Sequence, residues 1–350
     1  MSTEQRKDEH LDICLQGEQA FTGGTGLDEF ELEYDALPEL DLESIDLSIT
    51  LLGKRLQAPL LIGAMTGGSS RAEEINSRLA RGASAVGIAM GLGSQRAMLE
   101  DEMLASSYLV RQHAPDLPLL IGNLGAAQVG RLFDHAAIRA ALDTVEADAL
   151  AVHLNPLQEV IQPEGDSRFA GVRDRLAELC SKLAYPVIVK EVGCGISART
   201  AAKLAALPIS GLETAGRGGT CWPLIEAQRD PDDRQRTLLA AALARQGVGT
   251  ARSIIACRQA MGERLVIASG GIRTGRDIAV ALALGADAVA IAHPLLVAAA
   301  TSEAAVIQQL DRLLAELKLC CFATGAADVA SLKQVRLLDK REPDKPPWCN

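Results

Sequence analysis

Eight short apolar runs, separated by amphipathic segments, constrain the fold more than any other feature of this sequence. They fall at Pro59–Gly63, Gly87–Met90, Leu117–Gly122, Asp148–His153, Pro186–Glu191, Ile209–Thr214, Arg264–Ser269 and Ala288–Ala292. Their length and flanking turn residues predict strands. Between them Arg71–Ala85, Leu124–Val145, Ser167–Leu183, Ser197–Ala206, Asp233–Met261 and Gly275–Leu284 repeat apolar residues at three and four, the spacing of a helix face. Strands that alternate with helices pair in parallel, because each crossover returns the chain to the same end of the sheet. Eight such units predict an α/β fold, a closed TIM (β/α)8 barrel. The chain is 48% hydrophobic but only 3% aromatic, so its core is made of Ala, Leu, Val and Ile, as buried parallel strands under Ala-rich helices require.

The barrel is assigned to residues 51–338. Residues 1–50 break the pattern: a polar, helical start (Ser2–Leu15), a turn at Gly23-Gly24-Thr25-Gly26 and an acidic run from Glu29 to Asp46. They predict an arm packed across the barrel mouth. Residues 339–350 are charged and Pro-rich and predict a poorly ordered tail.

The net charge of −10 argues against nucleic-acid partners and anionic membranes, so any anionic ligand needs local cations. The charged start (Glu4, Arg6, Lys7, Asp8, Glu9) is unlike a signal peptide. Ile278–Ala300 has the length of a membrane span but contains Asp287, Gly285, His293 and Pro294, and reads instead as helix, turn and strand. Eight cysteines form no CxxC or Cys/His metal spacing and predict reduced, mostly core thiols of a cytoplasmic protein.

Polar groups collect where barrel strands end, which is where such barrels carry their chemistry. His153-Leu154-Asn155-Pro156-Leu157-Gln158-Glu159 sets an imidazole, two amides and a carboxylate directly behind an apolar strand. Ser269-Gly270-Gly271-Ile272-Arg273-Thr274-Gly275 opens a helix after the seventh strand, with Ala292-His293-Pro294 after the eighth. Glycines and a helix N-terminus at this place suit a phosphate, whether of a nucleotide, a sugar or flavin mononucleotide. Lys190, ending the fifth strand, suits an anionic flavin, a Schiff base, or a pair with Glu191 or Glu213. Ala64-Met65-Thr66-Gly67-Gly68 offers small residues to a flat ring. Gly93-Ser94-Gln95-Arg96 and Gly122-Asn123-Leu124-Gly125 add hydrogen-bonding groups to the same rim. Glu159 suits Mg²⁺, which takes one or two carboxylates and completes its shell with substrate phosphate and water. Gly218-Gly219-Thr220-Cys221-Trp222 follows strand six; Cys221 reads as a buried thiol or a nucleophile without a neighbouring base.

Taken together, these blocks resemble the type 2, FMN-dependent isopentenyl diphosphate isomerases over nearly the whole chain. Arg6-Lys7-Asp8-Glu9-His10, Met65-Thr66-Gly67-Gly68, Gly93-Ser94-Gln95-Arg96, Asn123-Leu124-Gly125, the 153–159 block, Lys190-Glu191-Val192-Gly193, Gly218-Gly219-Thr220 and Gly270-Gly271-Ile272-Arg273 occur in family order. The 153–159 block is the most specific, since other FMN barrels share the glycine loop and the lysine. The resemblance implies flavin contacts from Ala64, Met65, Thr66, Ser94, Asn123, Lys190 and Thr220, with the FMN phosphate on Gly271, Ile272, Arg273, Ala292 and His293. It implies substrate diphosphate on Arg6, Lys7, His10, Ser94, Gln95, Arg96, Asn155 and Gln158, and Mg²⁺ on Glu159. Gln158, Lys190, His153 and Trp222 are the implied catalytic set. The implied reaction is an allylic proton shift from isopentenyl to dimethylallyl diphosphate without net redox change, NADPH serving only to reduce the flavin. A homotetramer or octamer is implied as well. Cys221 stands where the family usually has Ser, His293 where related barrels often carry Arg, and Glu213-Thr214 is less typical.

Three rivals remain. Inosine monophosphate dehydrogenase-type barrels also carry a cysteine loop after strand six, but with Gly-Ser before the cysteine. A hydroxy-acid oxidase needs a His and an Arg together before strand seven, and Cys221–Leu265 holds no histidine. A flavin- or prenyl-diphosphate-binding protein without turnover would not need the intact Gln158, Glu159, Lys190 and arm cations.

Overall fold

All eight expected strands form, and they close on one another. The computed structural model describes residues 3–17, 20–21 and 23–340. An arm helix, α1 (Thr3–Gln16), is followed by the short strands β1 (Phe30–Leu32), β2 (Ile49–Leu51) and β3 (Lys54–Leu56). The barrel strands are β4 (Leu60–Ile62), β5 (Ala89–Gly91), β6 (Leu120–Gly125), β7 (Ala149–Leu154), β8 (Val187–Glu191), β9 (Gly211–Glu213), β10 (Leu265–Ser269) and β11 (Ala288–Ile291). Each pairs in parallel with its sequence neighbours, and β11 closes the ring on β4. Outside lie α2 (Ser70–Val86), α3 (Arg96–Glu100), α4 (His135–Thr144), α5 (Pro156–Ile161), α6 (Val172–Lys182), α7 (Ala198–Ala205), α8 (Trp222–Gln228), α9 (Arg234–Leu243), α10 (Thr250–Met261), α11 (Gly275–Ala283), α12 (His293–Thr301), α13 (Glu303–Ala323) and α14 (Val329–Leu332).

Alternation along the strands divides the core in two. Leu60, Ile62, Leu150, Val152, Val187, Val189, Val289 and Ile291 face the helices in the main apolar cluster. Leu61, Ala149, Ala151, Ile188, Ile267, Ala288 and Ala290 face inward and fill the barrel. The β2–β3 hairpin adds Leu51 and Leu56 to this inner cluster, plugging the end opposite the site with apolar surface.

Several boundaries differ from the sequence expectation. The helix expected over Leu124–Val145 begins only at His135, because β6 runs on through Gly125 in register with β7 as far as His153; Asp134 then caps α4 by accepting from Ala137 N at 2.8 Å. The helix expected over Asp233–Met261 is two, α9 and α10. Between them Gly247 takes φ 113°, and Val248 exchanges backbone bonds with Cys194 and Arg217. The 21-residue α13 was not anticipated. Ile278–Ala300 does divide into helix, strand and helix, and among the described residues no helix is long and apolar enough to cross a membrane. Asp339 pairs with Phe30, β12 (Leu337–Asp339) lying antiparallel to β1. The rest of the expected tail, from 341 onward, falls outside the described residues.

Candidate active site

Where the strands end, α1 lies across the mouth and two clefts open beneath it, spanning about 990 and 770 Å³ with their open mouths included. They share a wall: Lys7, His10, Ala64, Met65, Lys190, Val192 and Trp222 border both.

The larger cleft collects Thr66, Thr220, Gly271, Ile272, Arg273, Ala292 and His293. Its floor is made by two loops crossing backbone on backbone. A Cβ on Gly219 would lie 2.6 Å from Gly271 N, and one on Gly271 would lie 2.5 Å from Gly218 C and O. The resulting cradle suits a phosphate, and the amides of Gly271 and Ile272 find no acceptor among the described residues. The helix dipole behind it is not the expected one. At the start of α11 the amides of Arg273 and Thr274 are taken by Asp277, each at 3.0 Å, and that of Gly275 by Glu316 at 2.6 Å. The uncapped helix start is that of α12, whose N-cap Ala292 makes no side-chain bond. His293 Nε2 lies 3.0 Å from the Cys14 carbonyl of α1, and burial holds its pKa below the ordinary imidazole value. Lys190 is buried; its Nζ donates to the Glu191 carbonyl at 2.7 Å and lies 3.8 Å from Glu213 Oε1. The Glu191 carboxylate is otherwise engaged, accepting from the amides of Val192, Gly193 and Cys194. Cys221 is buried and burial pushes its thiol up to about 11, which removes it as a nucleophile.

The smaller cleft is the polar one. Arg6, Lys7, Ser94, Arg96, Asn123, His153, Asn155, Gln158 and Glu159 meet in it. Burial and the nearby Arg96 lower the pKa of Arg6; burial and Arg6 lower that of Lys7 to about 8. Glu226 acts on both cations and Glu164 on Arg6, but they do not offset the burial and mutual repulsion. Asn123 orients the imidazole of His153. Its Nδ2 donates to Leu92 O at 3.0 Å, so its Oδ1, 2.9 Å from His153 Nδ1, accepts a hydrogen bond from the N–H of that nitrogen. Burial, then Lys190 and Lys7, push His153 down to about 3; the ring is neutral and presents Nε2 as an acceptor. Asn155 Nδ2 donates to Gln158 Oε1 at 3.2 Å and Glu159 Oε1 at 2.9 Å, while its Oδ1 is buried without a partner among the described residues. Burial raises the Glu159 carboxyl above its usual value.

One expected site residue does not reach this cleft. Gln95 is fully buried; its Nε2 donates to Ala141 O at 3.2 Å and its Oε1 accepts from Asn123 N at 3.0 Å. It braces β6 from behind, because α3 starts immediately after it and turns its side chain into the core.

Behind this cleft lie two charged side chains that the sequence does not single out, Glu226 and Arg229, both almost wholly enclosed. Glu226, fully buried on α8, accepts from Gln158 Nε2 at 2.8 Å and lies 3.1 Å from His10 Nε2. Burial opposes its ionisation, yet His10, Gln158 and Arg229 outweigh that and hold its pKa low. The signal was a carboxylate between Ile225 and Ala227, both of them buried. His10 packs edge-on to Trp222, ring centroids 5.3 Å apart.

A phosphate cradle, a buried lysine at the end of the fifth barrel strand and an apolar slot between them define a flavin-type (β/α)8 barrel. The sequence model of the FMN-dependent dehydrogenase family matches residues 135–339. A solved mandelate oxidase with (S)-mandelic acid superposes with a TM-score of 0.66 over 96% of both chains at 16% identity, a likeness of fold alone. The isopentenyl-diphosphate delta-isomerase of Stutzerimonas stutzeri (strain A1501) is 46% identical, covering 95% of this chain and 96% of its own length. That of Synechococcus sp. (strain ATCC 27144 / PCC 6301 / SAUG 1402/1) is 46% identical, covering 96% and 97%. The chain belongs to the isopentenyl-diphosphate delta-isomerase family, in its flavin-barrel form.

Proposed function

We propose that this enzyme converts isopentenyl diphosphate to dimethylallyl diphosphate, using FMN reduced by NADPH, with Mg²⁺ on the diphosphate. The observation that carries the reading is the crowding of Arg6, Lys7 and Arg96 in one cleft, with Arg6 and Lys7 shifted toward neutrality, beside a second cleft that fits a flavin. In a chain of net charge −10, such a cluster is selective for a polyanion.

The cradle of Gly271 and Ile272, with Arg273, Ala292 and His293, would hold the FMN phosphate. Ala64, Met65, Thr66, Ser94, Asn123, Lys190 and Thr220 would hold the rest. Bound there, reduced FMN supplies the acid–base group for the proton shift. Lys190 presents a buried cation to negative charge on the reduced ring. Arg6, Lys7 and Arg96 grip the diphosphate, with His10, Ser94, Asn155 and Gln158 around them. Gln158 is fixed at both ends of its amide, by Asn155 and Glu226, and so orients the alkene end of the substrate without itself titrating. His153, neutral and locked by Asn123, serves as a hydrogen-bond acceptor. Trp222 faces both clefts and stabilises cationic character at carbon through its ring, while α1 keeps water out. For Mg²⁺ the fit rests on two oxygens: Glu159 and the unpartnered Oδ1 of Asn155 are hard donors of the kind that ion takes beside diphosphate and water. Among the described residues no three His, Cys, Asp or Glu side chains gather to hold a metal, which leaves most of the shell to substrate.

We also read the chain as a cytoplasmic homo-oligomer, a tetramer or octamer. Exposed Val160 on α5 and Leu238 and Leu239 on α9 support association, and size-exclusion chromatography with light scattering tests it.

The deciding experiment is anaerobic incubation with FMN, NADPH, Mg²⁺ and isopentenyl diphosphate, omitting each in turn. Dimethylallyl diphosphate is expected in large molar excess over the NADPH consumed. No product despite bound, reduced FMN refutes the reading.

A further inference from the structure

We infer that Arg229 is a positioning residue that fixes the arm so that Arg6 and Lys7 meet the diphosphate. The inference rests on the proposed role of those two cations. Arg229 borders neither cleft and acts through others. Its side chain is 2% exposed at the C-terminal cap of α8. Nε donates to Glu9 of α1 at 3.1 Å; NH1 donates to Glu226 at 2.9 Å and to Glu164 at 3.0 Å; NH2 donates to Glu164 at 3.0 Å. One guanidinium thus joins the arm, α8 and the loop after α5.

The first two turns of α1, Thr3 to His10, contain no large apolar side chain; Leu11, Ile13, Cys14 and Leu15 all lie beyond them. That half of the helix is therefore seated by polar contacts. Asp8 accepts from the buried Ser69 at 2.6 Å, a partly buried contact at the start of α2, whereas Glu4 accepts from Ser70 at 3.3 Å in an exposed contact that contributes little. The contacts made to buried charged groups are Glu9, itself partly exposed, with Arg229 and His10 with Glu226, and both converge on α8. Arg6 stands one helical turn before Glu9 and His10, so whatever fixes those two fixes Arg6. Charge acts in the same direction. Three carboxylates face one guanidinium; Glu164 and Glu226 each favour the charged form of Arg6 more than Arg229, which holds them in place, opposes it. The cluster therefore holds a second cation close by, at the cleft where it is used.

Glu9→Gln separates the arm from Arg229 while leaving Arg229 on Glu164 and Glu226. The expected result is a rise of roughly tenfold in KM for isopentenyl diphosphate, kcat within about threefold, unchanged FMN affinity, and faster hydrogen exchange over residues 3–16. Arg229→Met is expected to do the same with a larger KM effect, and Arg229→Lys to restore part of it, which a purely structural loss would not do. If Arg229→Met does not fold, Glu9→Gln carries the test. Native KM and native exchange in Glu9→Gln, alongside a raised KM in Arg6→Ala, would overturn the inference and leave the diphosphate reading standing. Native KM in both Arg6→Ala and Lys7→Ala would overturn the diphosphate reading, and this inference with it.

Discussion

Lys7 makes the enzyme sensitive to mild alkali in a way that can be worked out in advance. Burial and the neighbouring Arg6 bring its pKa down from 10.5 to about 8, so the free enzyme loses this cation within the working pH range. Only the charged form attracts diphosphate. Its fraction is roughly 0.9 at pH 7 and roughly 0.1 at pH 9 for a pKa near 8, so kcat/KM should fall roughly tenfold over that interval. The sign follows from the direction of the shift: a lowered lysine pKa means charge present below it and lost above it. Because a bound polyanion raises the pKa again, kcat at saturating substrate should stay flatter than kcat/KM. The assay is initial-rate kinetics of the reduced holoenzyme between pH 6.5 and 9.5 in constant-ionic-strength buffer. Lys7→Arg, whose guanidinium stays charged throughout, should remove the alkaline limb. An identical limb in Lys7→Arg, or none in the wild type, refutes the assignment of Lys7 to the diphosphate.

The remaining predictions address separate parts of the site. Glu159→Gln should raise the Mg²⁺ concentration needed for half-maximal rate and leave FMN affinity unchanged; undiminished turnover at limiting Mg²⁺ would dismiss the metal assignment. Gln95→Leu should lower stability by about 1–3 kcal/mol, because it leaves the Asn123 amide unpaired, yet keep KM for isopentenyl diphosphate native; thermal melts and kinetics on the same sample check both. His293→Ala frees the Cys14 carbonyl and opens the cradle, so FMN binding measured by flavin fluorescence should weaken by roughly tenfold. Ile267→Ala removes a side chain from the inside of the barrel and should cost about 2–5 kcal/mol in denaturant unfolding.

The barrel was legible because its strands are short, apolar and evenly interrupted, and because parallel pairing leaves few alternatives. Positions at strand ends were legible too: His153, Lys190 and the Gly270-Gly271 loop all arrive at one mouth. What could not be read was direction. Gln95 follows a strand as Ser94 does, but the start of α3 rotates it into the core, and no local pattern distinguishes the two. The phosphate loop does precede α11, yet Asp277 and Glu316 cap that helix; Glu316 comes from α13, 41 residues away, and such a contact leaves no mark in the loop itself. Glu226 and Arg229 escaped for the same reason. A Glu and an Arg on a short helix look like solvent-facing charges until His10 and Glu9, more than two hundred residues earlier, are brought against them.

The arm helix roofs two rooms at once, and it is pinned unevenly. At its C-terminal end the Cys14 carbonyl rests on His293 over the flavin cleft, and Leu11 and Cys14 are buried there. Its N-terminal turns stand over the polar cleft on polar contacts and the edge of one ring, His10 against Trp222. Lifting those first turns opens the substrate room and leaves the cofactor shut in, whereas releasing the cofactor requires the whole helix to rise, apolar face included. With cofactor and substrate in the two clefts as proposed, the two events would have separate barriers on one segment, and substrate would exchange while a single cofactor stays.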